Sequence, residues 1–514
     1  MPINSSTSGS IQGSGNPVIS RWIAVAGALL IAALYIKAYF AHPALPTTTA
    51  DGWWTWWDQS NYLKSATALW HRDFSVGLYV YPLGYSAIGA AFVAVAPAHP
   101  FFVPNLLALL ASYFAFIGFA RCVGVNSLWA ALVFLGASVC DPELFQHWVA
   151  PWTTTPVAAL IWISLWLSGR YVLRPDEARA KRRYFVIGLV AACVMAIHPV
   201  DVLVPGIFLL AMLLCDLIEK RTAFRHLLSA IYGGLCIVIP YLLVYLRIYH
   251  FHTTDYLEQS AKIGFVFWNF LWKLYVIFFD PYPWFAEGRG ILQRAPWIAL
   301  AVPALLLLCA RQLHRASRRE AVIWMLAAAT VFYTGLYVAY VDLLPNGLWR
   351  YGNIHYFTWV MPAYALLGFL LIQRLFQRRR AIPLAALIAS LVLLSIRLEP
   401  REVPAGSPAL MVNTQFDCGG WANTYMGRFT IADAKGQLES VYGVRALPMP
   451  EGVRFIAIRR PLVGNAAFVK GCADASTGAA GGAGAQTHWN TRVRFGRPAW
   501  LPPFHDPLNP HFAG

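Results

Sequence analysis

Four indoles crowd the five positions Trp53, Trp54, Thr55, Trp56 and Trp57, and a carboxylate, Asp58, follows at once. Asn61, Tyr62 and Ser65 come at i+3, i+4 and i+7 from it, which is one face of a helix. Two readings are open for Asp58. Near a helix start an acid is favoured by the free N–H groups and the macrodipole, so it can be a cap and nothing more. A carboxylate held among indoles, where local polarity is low, can also act as a general base, taking the proton of a hydroxyl as that oxygen attacks.

Other chemistry-bearing residues follow along the chain. Asp141 and Glu143 flank Pro142 in "CDPELF". Two carboxylates suit a divalent cation such as Mg or Mn, and the same tripeptide reads equally as a polar turn with Pro142 opening a helix. His198 stands in "HPVD"; a histidine at a helix end is more often structural than functional. Arg350 and Tyr351 stand in "RYGNIHYFTWVMPAYALL". An arginine there either snorkels to the interface or pairs with phosphate through its planar fork. Lys262, Arg289 and Arg294 are weaker phosphate candidates.

The elements that must position these groups are membrane-spanning. Of the 514 residues 58% are apolar and 12% charged, about half the charge of soluble domains. Several apolar runs reach the roughly 20 residues that cross a bilayer. Their continuity predicts helices rather than alternating strands. The net charge of +16 gathers in short loops, as the positive-inside rule expects. No basic stripe with interleaved aromatics points to nucleic acid.

Those basic clusters set an expected topology. Arg121, then 169–183, 219–226, 311–319 and 373–380 are separated by paired apolar runs: 127–140 with 147–168, 184–197 with 202–215, 228–248 with 295–310, and 321–340 with 355–372. Each pair reads as a hairpin whose tip faces away from the cytoplasm. Trp22–Phe40 is long for a signal peptide and is expected to be a retained first span. The run 82–98 is short, carries Gly84 and Gly89, and has both ends on the outer side, so a short or re-entrant helix is expected there. The expected organisation is a flexible cytoplasmic tail (1–20), a membrane domain (21–397) with external segments 41–81 and 249–294, and an extracytoplasmic region (398–514). External helices rich in Trp, Tyr and Phe, such as "FVFWNFLWKLYVIFF" (265–279), are expected to lie in the interface. Six of the eight cysteines lie in or beside apolar runs, whereas Cys418 and Cys472 stand in the outer region, where a disulfide persists.

The order of these features resembles the C-type glycosyltransferase superfold, the integral-membrane enzymes that use lipid-phosphate-linked sugars. "WDQSNYLKSATAL" is similar to the family's first-loop motif of Asp, Tyr and Ala, and "YPLGY" to its Tyr-Pro-Pro segment. "CDPELF" resembles its second acidic site, "HPVDVLVPGIFLL" its Pro segment before an apolar run, and 350–367 its late Arg-Tyr segment. The chain departs at Gln59, where an acid is common, at Leu83 in place of the second Pro, and at His198 in place of Lys or Arg. The likeness covers residues 20–397, toward the protein mannosyltransferase and aminoarabinose transferase group.

That resemblance implies an all-α polytopic fold of about 11–12 helices, with interfacial helices and a small C-terminal α+β region. It implies transfer of a sugar, with inversion, from a polyprenyl-phosphate donor to a hydroxyl acceptor at the extracytoplasmic face of the inner membrane. Asp58 would be the base. Trp57, Tyr62, Tyr81, His198, Arg350 and Tyr351 would contact substrate, and Asp141 with Glu143 would hold a Mg or Mn ion. Two other classes compete. A transporter or flippase would place charges at the bilayer midplane and show repeated halves, and neither is evident; a non-catalytic assembly protein could share the fold.

Overall fold

The computed structural model describes residues 17–41, 52–55, 57–254, 256–257, 265, 267, 270–279, 290–310, 317–340 and 353–398, with four short strands between 410 and 457. Eight of its helices are long and apolar enough to cross a membrane, and the chain is a polytopic membrane protein whose membrane part is all-α. The described residues fall into two compact units.

The first unit comprises residues 1–252, 307–329 and 361–370. Its helices are α1 (Pro17–Phe40), α2 (Trp57–Trp70), α3 (Leu83–Val93), α4 (Phe102–Cys122), α5 (Ser127–Ser138), α6 (Pro142–Val149), α7 (Thr154–Leu173), α8 (Glu177–Ile197), α9 (Leu203–Ile218) and α10 (Ala223–Tyr249). Helix α3, expected as a dip, has 11 residues and a length of about 16 Å, short of a crossing.

The run 127–140 was expected to form one span. Instead α5 ends at Ser138, and α6 leaves it at 93°. Pro142 disfavours helical backbone at Asp141, which takes φ −92° and ψ 120° and caps α6. The expected return run, 147–168, is likewise divided. Ala150, before Pro151, is extended at φ −57° and ψ 142°, and the chain becomes helical again only at Thr154.

Helices α8 and α10 pack with backbones in contact. A Cβ on Gly188 would lie 1.9 Å from the Ala230 carbonyl oxygen, so only glycine permits that approach. At the basic end of the unit several polar groups are paired. Buried Asp216 accepts from the hydroxyls of Tyr171 (2.5 Å) and Tyr184 (2.7 Å) and faces His226 Nδ1 at 2.8 Å. Arg318 reaches Glu219 at 2.8 Å. The Arg319 guanidinium donates to the Val123 carbonyl.

The second unit comprises residues 253–306, 330–360 and 371–514. It holds α11 (Phe270–Phe278), α12 (Ile291–Arg294), α13 (Ala301–Cys309, shared with the first unit), the end of α14 (Arg318–Ala339), parts of α15 (Val360–Gln377), and α16 (Ala381–Leu398). Aromatic rings fill it: Tyr337 stacks on Tyr356 at 4.7 Å, Trp359 meets Tyr333 edge-on at 5.1 Å, and the Tyr333 hydroxyl donates to the Tyr356 carbonyl at 2.8 Å. Strands β1 (Leu410–Gln415), β2 (Arg428–Ala432), β3 (Leu438–Tyr442) and β4 (Phe455–Ala457) pair antiparallel in the order β3-β2-β1-β4. Strand β4 lies within the stretch "GVRFIAIRR". Cys418 and Cys472 lie outside the described residues, and the six described cysteines are free.

Candidate active site

Asp58 sits in the first turn of α2. The residue is partly exposed, yet its carboxyl is desolvated, and that burial raises its pKa above the ordinary carboxylate value. Hydrogen bonds from Tyr81 and Trp152 act the other way, favouring the charged form. The Tyr81 hydroxyl donates to Oδ1 at 2.5 Å. The group is therefore a carboxylate made more basic by burial and kept oriented by donors, which is what a base requires.

The surrounding chain explains how it is held. Two of the indoles act as clamps. Trp53 Nε1 donates to the Tyr39 carbonyl at 3.1 Å, tying the loop to α1, and Trp54 Nε1 to the Ala98 carbonyl at 2.8 Å, tying it to the turn before α4. Trp57 opens α2, and its ring is outside the described residues. Lys64 and Ser65 donate to the carbonyls of Gly77 and Leu78, both at 2.8 Å. Tyr79 donates to the Asp73 carbonyl, and its own carbonyl accepts from Tyr249 at 3.1 Å. These bonds fix residues 73–79 and so aim Tyr81 back at α2.

Tyr62, one turn after Asp58, is buried and lies 4.9 Å from Tyr81 and 5.0 Å, edge-on, from Tyr85. Tyr85 stacks on Phe101 at 4.4 Å and donates to Asn105 Oδ1 at 3.2 Å; Asn105 Nδ2 donates to the Ala150 carbonyl at 3.0 Å. That relay links α3, α4 and the turn carrying Trp152. His147 stacks on Trp152 at 5.8 Å. A Cβ on Gly84 would meet the Ala196 carbonyl oxygen at 2.5 Å and the Ile197 nitrogen at 2.8 Å, so glycine lets α3 begin directly on the end of α8. His198 follows there, buried, with Nδ1 3.2 Å from Asp201 Oδ2.

Asp58, Tyr62 and Tyr81 are thus brought together. Trp152 and Asn105 were not foreseen, because nothing local marks them. Asp201 lies three residues from His198, a spacing that could have signalled the pair. Asp141 uses Oδ1 to accept from the backbone of Glu143 (2.9 Å) and Leu144 (3.0 Å), which is the capping alternative; Glu143 is exposed. Among the described residues no three His, Cys, Asp or Glu side chains converge as a metal set, so Asp141 and Glu143 do not by themselves fit a resident Mg or Mn. Arg294 lies at the end of α12. Arg350, Tyr351, Lys262 and Arg289 lie outside the described residues.

The class defined so far is a multi-pass helical membrane protein with a desolvated carboxyl in an aromatic cage at the start of a short helix. No family model matches the chain, and no curated protein does. Among solved structures it is similar to ArnT from Cupriavidus metallidurans bound to undecaprenyl phosphate, at 14% identity over 74% of this chain and 70% of that one, with a TM-score of 0.44. It is also similar to the archaeal oligosaccharyltransferase AglB from Archaeoglobus fulgidus, in complex with an inhibitory peptide and a dolichol-phosphate. There the identity is 12%, over 73% of this chain and only 55% of that one, with a TM-score of 0.41.

Proposed function

We propose that the protein is an integral-membrane glycosyltransferase that moves a sugar from a polyprenyl-phosphate donor to a hydroxyl acceptor at the extracytoplasmic face of the inner membrane. The observation that carries this reading is the Asp58 carboxyl, made more basic by desolvation and oriented by Tyr81 at 2.5 Å. The order of motifs along the chain supports it.

In the proposed step Asp58 takes the acceptor's hydroxyl proton. The acceptor oxygen bonds to the anomeric carbon from the face opposite the phosphate. The bond from that carbon to the phosphate oxygen breaks, and the electron pair leaves with the lipid phosphate. Inversion follows from a single displacement. A phosphate is a good leaving group, so one carboxylate suffices. Tyr62 and Tyr81 line the acceptor side of the cage. Arg350 and Tyr351 are proposed to hold the donor phosphate, where a guanidinium in a dry site offsets developing charge. His198 is oriented by Asp201 and is proposed to assist as a hydrogen-bond donor.

The test is transfer by purified protein from a radiolabelled polyprenyl-phosphate sugar, compared with Asp58→Asn. Loss of a general base lowers the rate by about 10²–10⁴-fold. An Asp58→Asn protein turning over near the parent rate would remove the mechanism. Turnover that survives a chelator would remove the divalent cation. Movement of the lipid between leaflets without transfer would instead establish a flippase.

A further inference from the structure

A cavity of about 670 Å³ lies in the first unit, lined by Arg121, Arg170, Arg174 and Arg183 together with Gly118, Cys122, Trp166 and Leu173. It is far from Asp58. Helix α4 begins beside Phe101, which stacks on Tyr85, and ends 21 residues later at Cys122, a length of about 30 Å. Helix α7 likewise starts just after Trp152 and carries Trp166, Arg170 and Leu173 near its other end. The cavity therefore opens on the opposite membrane face, among the basic loops that the positive-inside rule assigns to the cytoplasm.

Topology alone asks for cations in loops. It does not ask four guanidinium groups to line one cavity. Among the described residues none of these four arginines has an acidic partner within ion-pairing distance. The nearby acid, Asp176, caps α8 and pairs with Arg179 at 3.5 Å. Arg183 Nη1 is buried with no acceptor, although an unmet buried donor costs about 1–3 kcal/mol. Helix dipoles account for part of the set, since Arg121 and Arg170 lie in last turns, where cations are favoured. They do not account for α8, whose first seven residues include Arg179, Lys181, Arg182 and Arg183 at the end that favours anions. A second, smaller cavity lined by Arg179 and Arg182 also shares Arg170 and Arg183. Arg170 lies over the Trp166 ring at 5.6 Å and Arg183 over Tyr171 at 5.8 Å, so rings hold the two guanidinium planes while their donors stay available.

We propose that this cavity binds a phosphate group, carried either by the headgroup of an anionic phospholipid of the adjacent leaflet or by a soluble phosphate compound. Guanidinium forks pair bidentately with phosphate oxygens. The indole and the Gly118 surface would accommodate the apolar part of a lipid.

Native mass spectrometry of the full chain, delipidated and then titrated with phosphatidylglycerol or phosphatidylcholine, tests this. The expected result is retention of phosphatidylglycerol over phosphatidylcholine, reduced about tenfold or more in Arg170→Gln/Arg183→Gln and kept in Arg378→Gln/Arg379→Gln, an exposed pair elsewhere. Should the glutamine pair not fold, Arg170→Lys/Arg183→Lys keeps the charge without the fork and should show an intermediate loss. Displacement of phosphatidylglycerol by millimolar inorganic phosphate assigns a soluble ligand, and resistance to it assigns the lipid. Equal retention of the two lipids with no binding of inorganic phosphate, or equal loss in both arginine pairs, overturns the proposal. Binding is read without sugar transfer, so its failure leaves the reading of Asp58 untouched.

Discussion

Replacing Tyr81 by Phe removes one oxygen and leaves the ring in place against Tyr62. In the parent the hydroxyl donates to Asp58 Oδ1 at 2.5 Å, a short contact typical of a donor to a charged acceptor. A hydrogen bond to a charged group contributes about 1.5–3 kcal/mol. Burial raises the Asp58 pKa, and Tyr81 is the larger of the two influences that lower it. Removing that donor leaves burial less opposed, so the acid limb of the pH–rate profile moves to higher pH. A base works ionised, and each 1.4 kcal/mol is tenfold in an equilibrium constant. At a pH on the parent's acid limb, Tyr81→Phe should thus transfer about 10–100-fold more slowly, recovering toward the parent rate as pH rises. The stability sign is the reverse of the usual carboxylate case. A folded pKa above the unfolded one means that stability falls as pH rises through that interval, so Asp58→Asn should melt at or above the parent temperature near neutral pH. The assay is initial rate against pH with saturating donor, paired with melting in detergent. An unmoved acid limb, with the same loss at every pH, would refute the electrostatic role and leave Tyr81 a spacer.

Gly84→Ala places a Cβ 2.5 Å from the Ala196 carbonyl oxygen, a backbone atom that cannot rotate aside; overpacking of this kind costs about 1–3 kcal/mol. It should lower the melting temperature and the transfer rate together, whereas Ala at Gly206, which has open space around it, should do neither. Arg350→Ala should weaken donor binding more than Arg350→Lys, which keeps charge but loses the fork; equal affinities measured by titration would reduce Arg350 to an anchor. Cys418 and Cys472 should resist alkylation in unreduced membranes until a reductant is added, and free alkylation of both would reverse the proposed orientation of the C-terminal region.

Much of the architecture was legible in the chain because it depends on short-range patterns. Continuous apolar runs can satisfy their backbone in a membrane only as helices. The breaks at Asp141 and Ala150 lie before prolines whose rings exclude helical backbone there, so the bend between α5 and α6 was present in the residues even though one span was expected. The aromatic cage was half legible. Asp58 and Tyr62 stood out by type and spacing and Tyr81 through the family resemblance, whereas the basicity of the Asp58 carboxyl was not legible, since a pKa depends on what surrounds the group in space. Tertiary packing set those surroundings. It brought Trp152 to Asp58 through Asn105 and Tyr85, contacts between segments far apart in the chain that no local pattern encodes. The Asp141 cap, by contrast, is local: its Oδ1 accepts from the backbone N–H groups of Glu143 and Leu144. The arginines of the basic loops were legible in the chain only as clustered charge, and only folding made four of them line one cavity, because the ends of α4 and α7 and the start of α8 meet there.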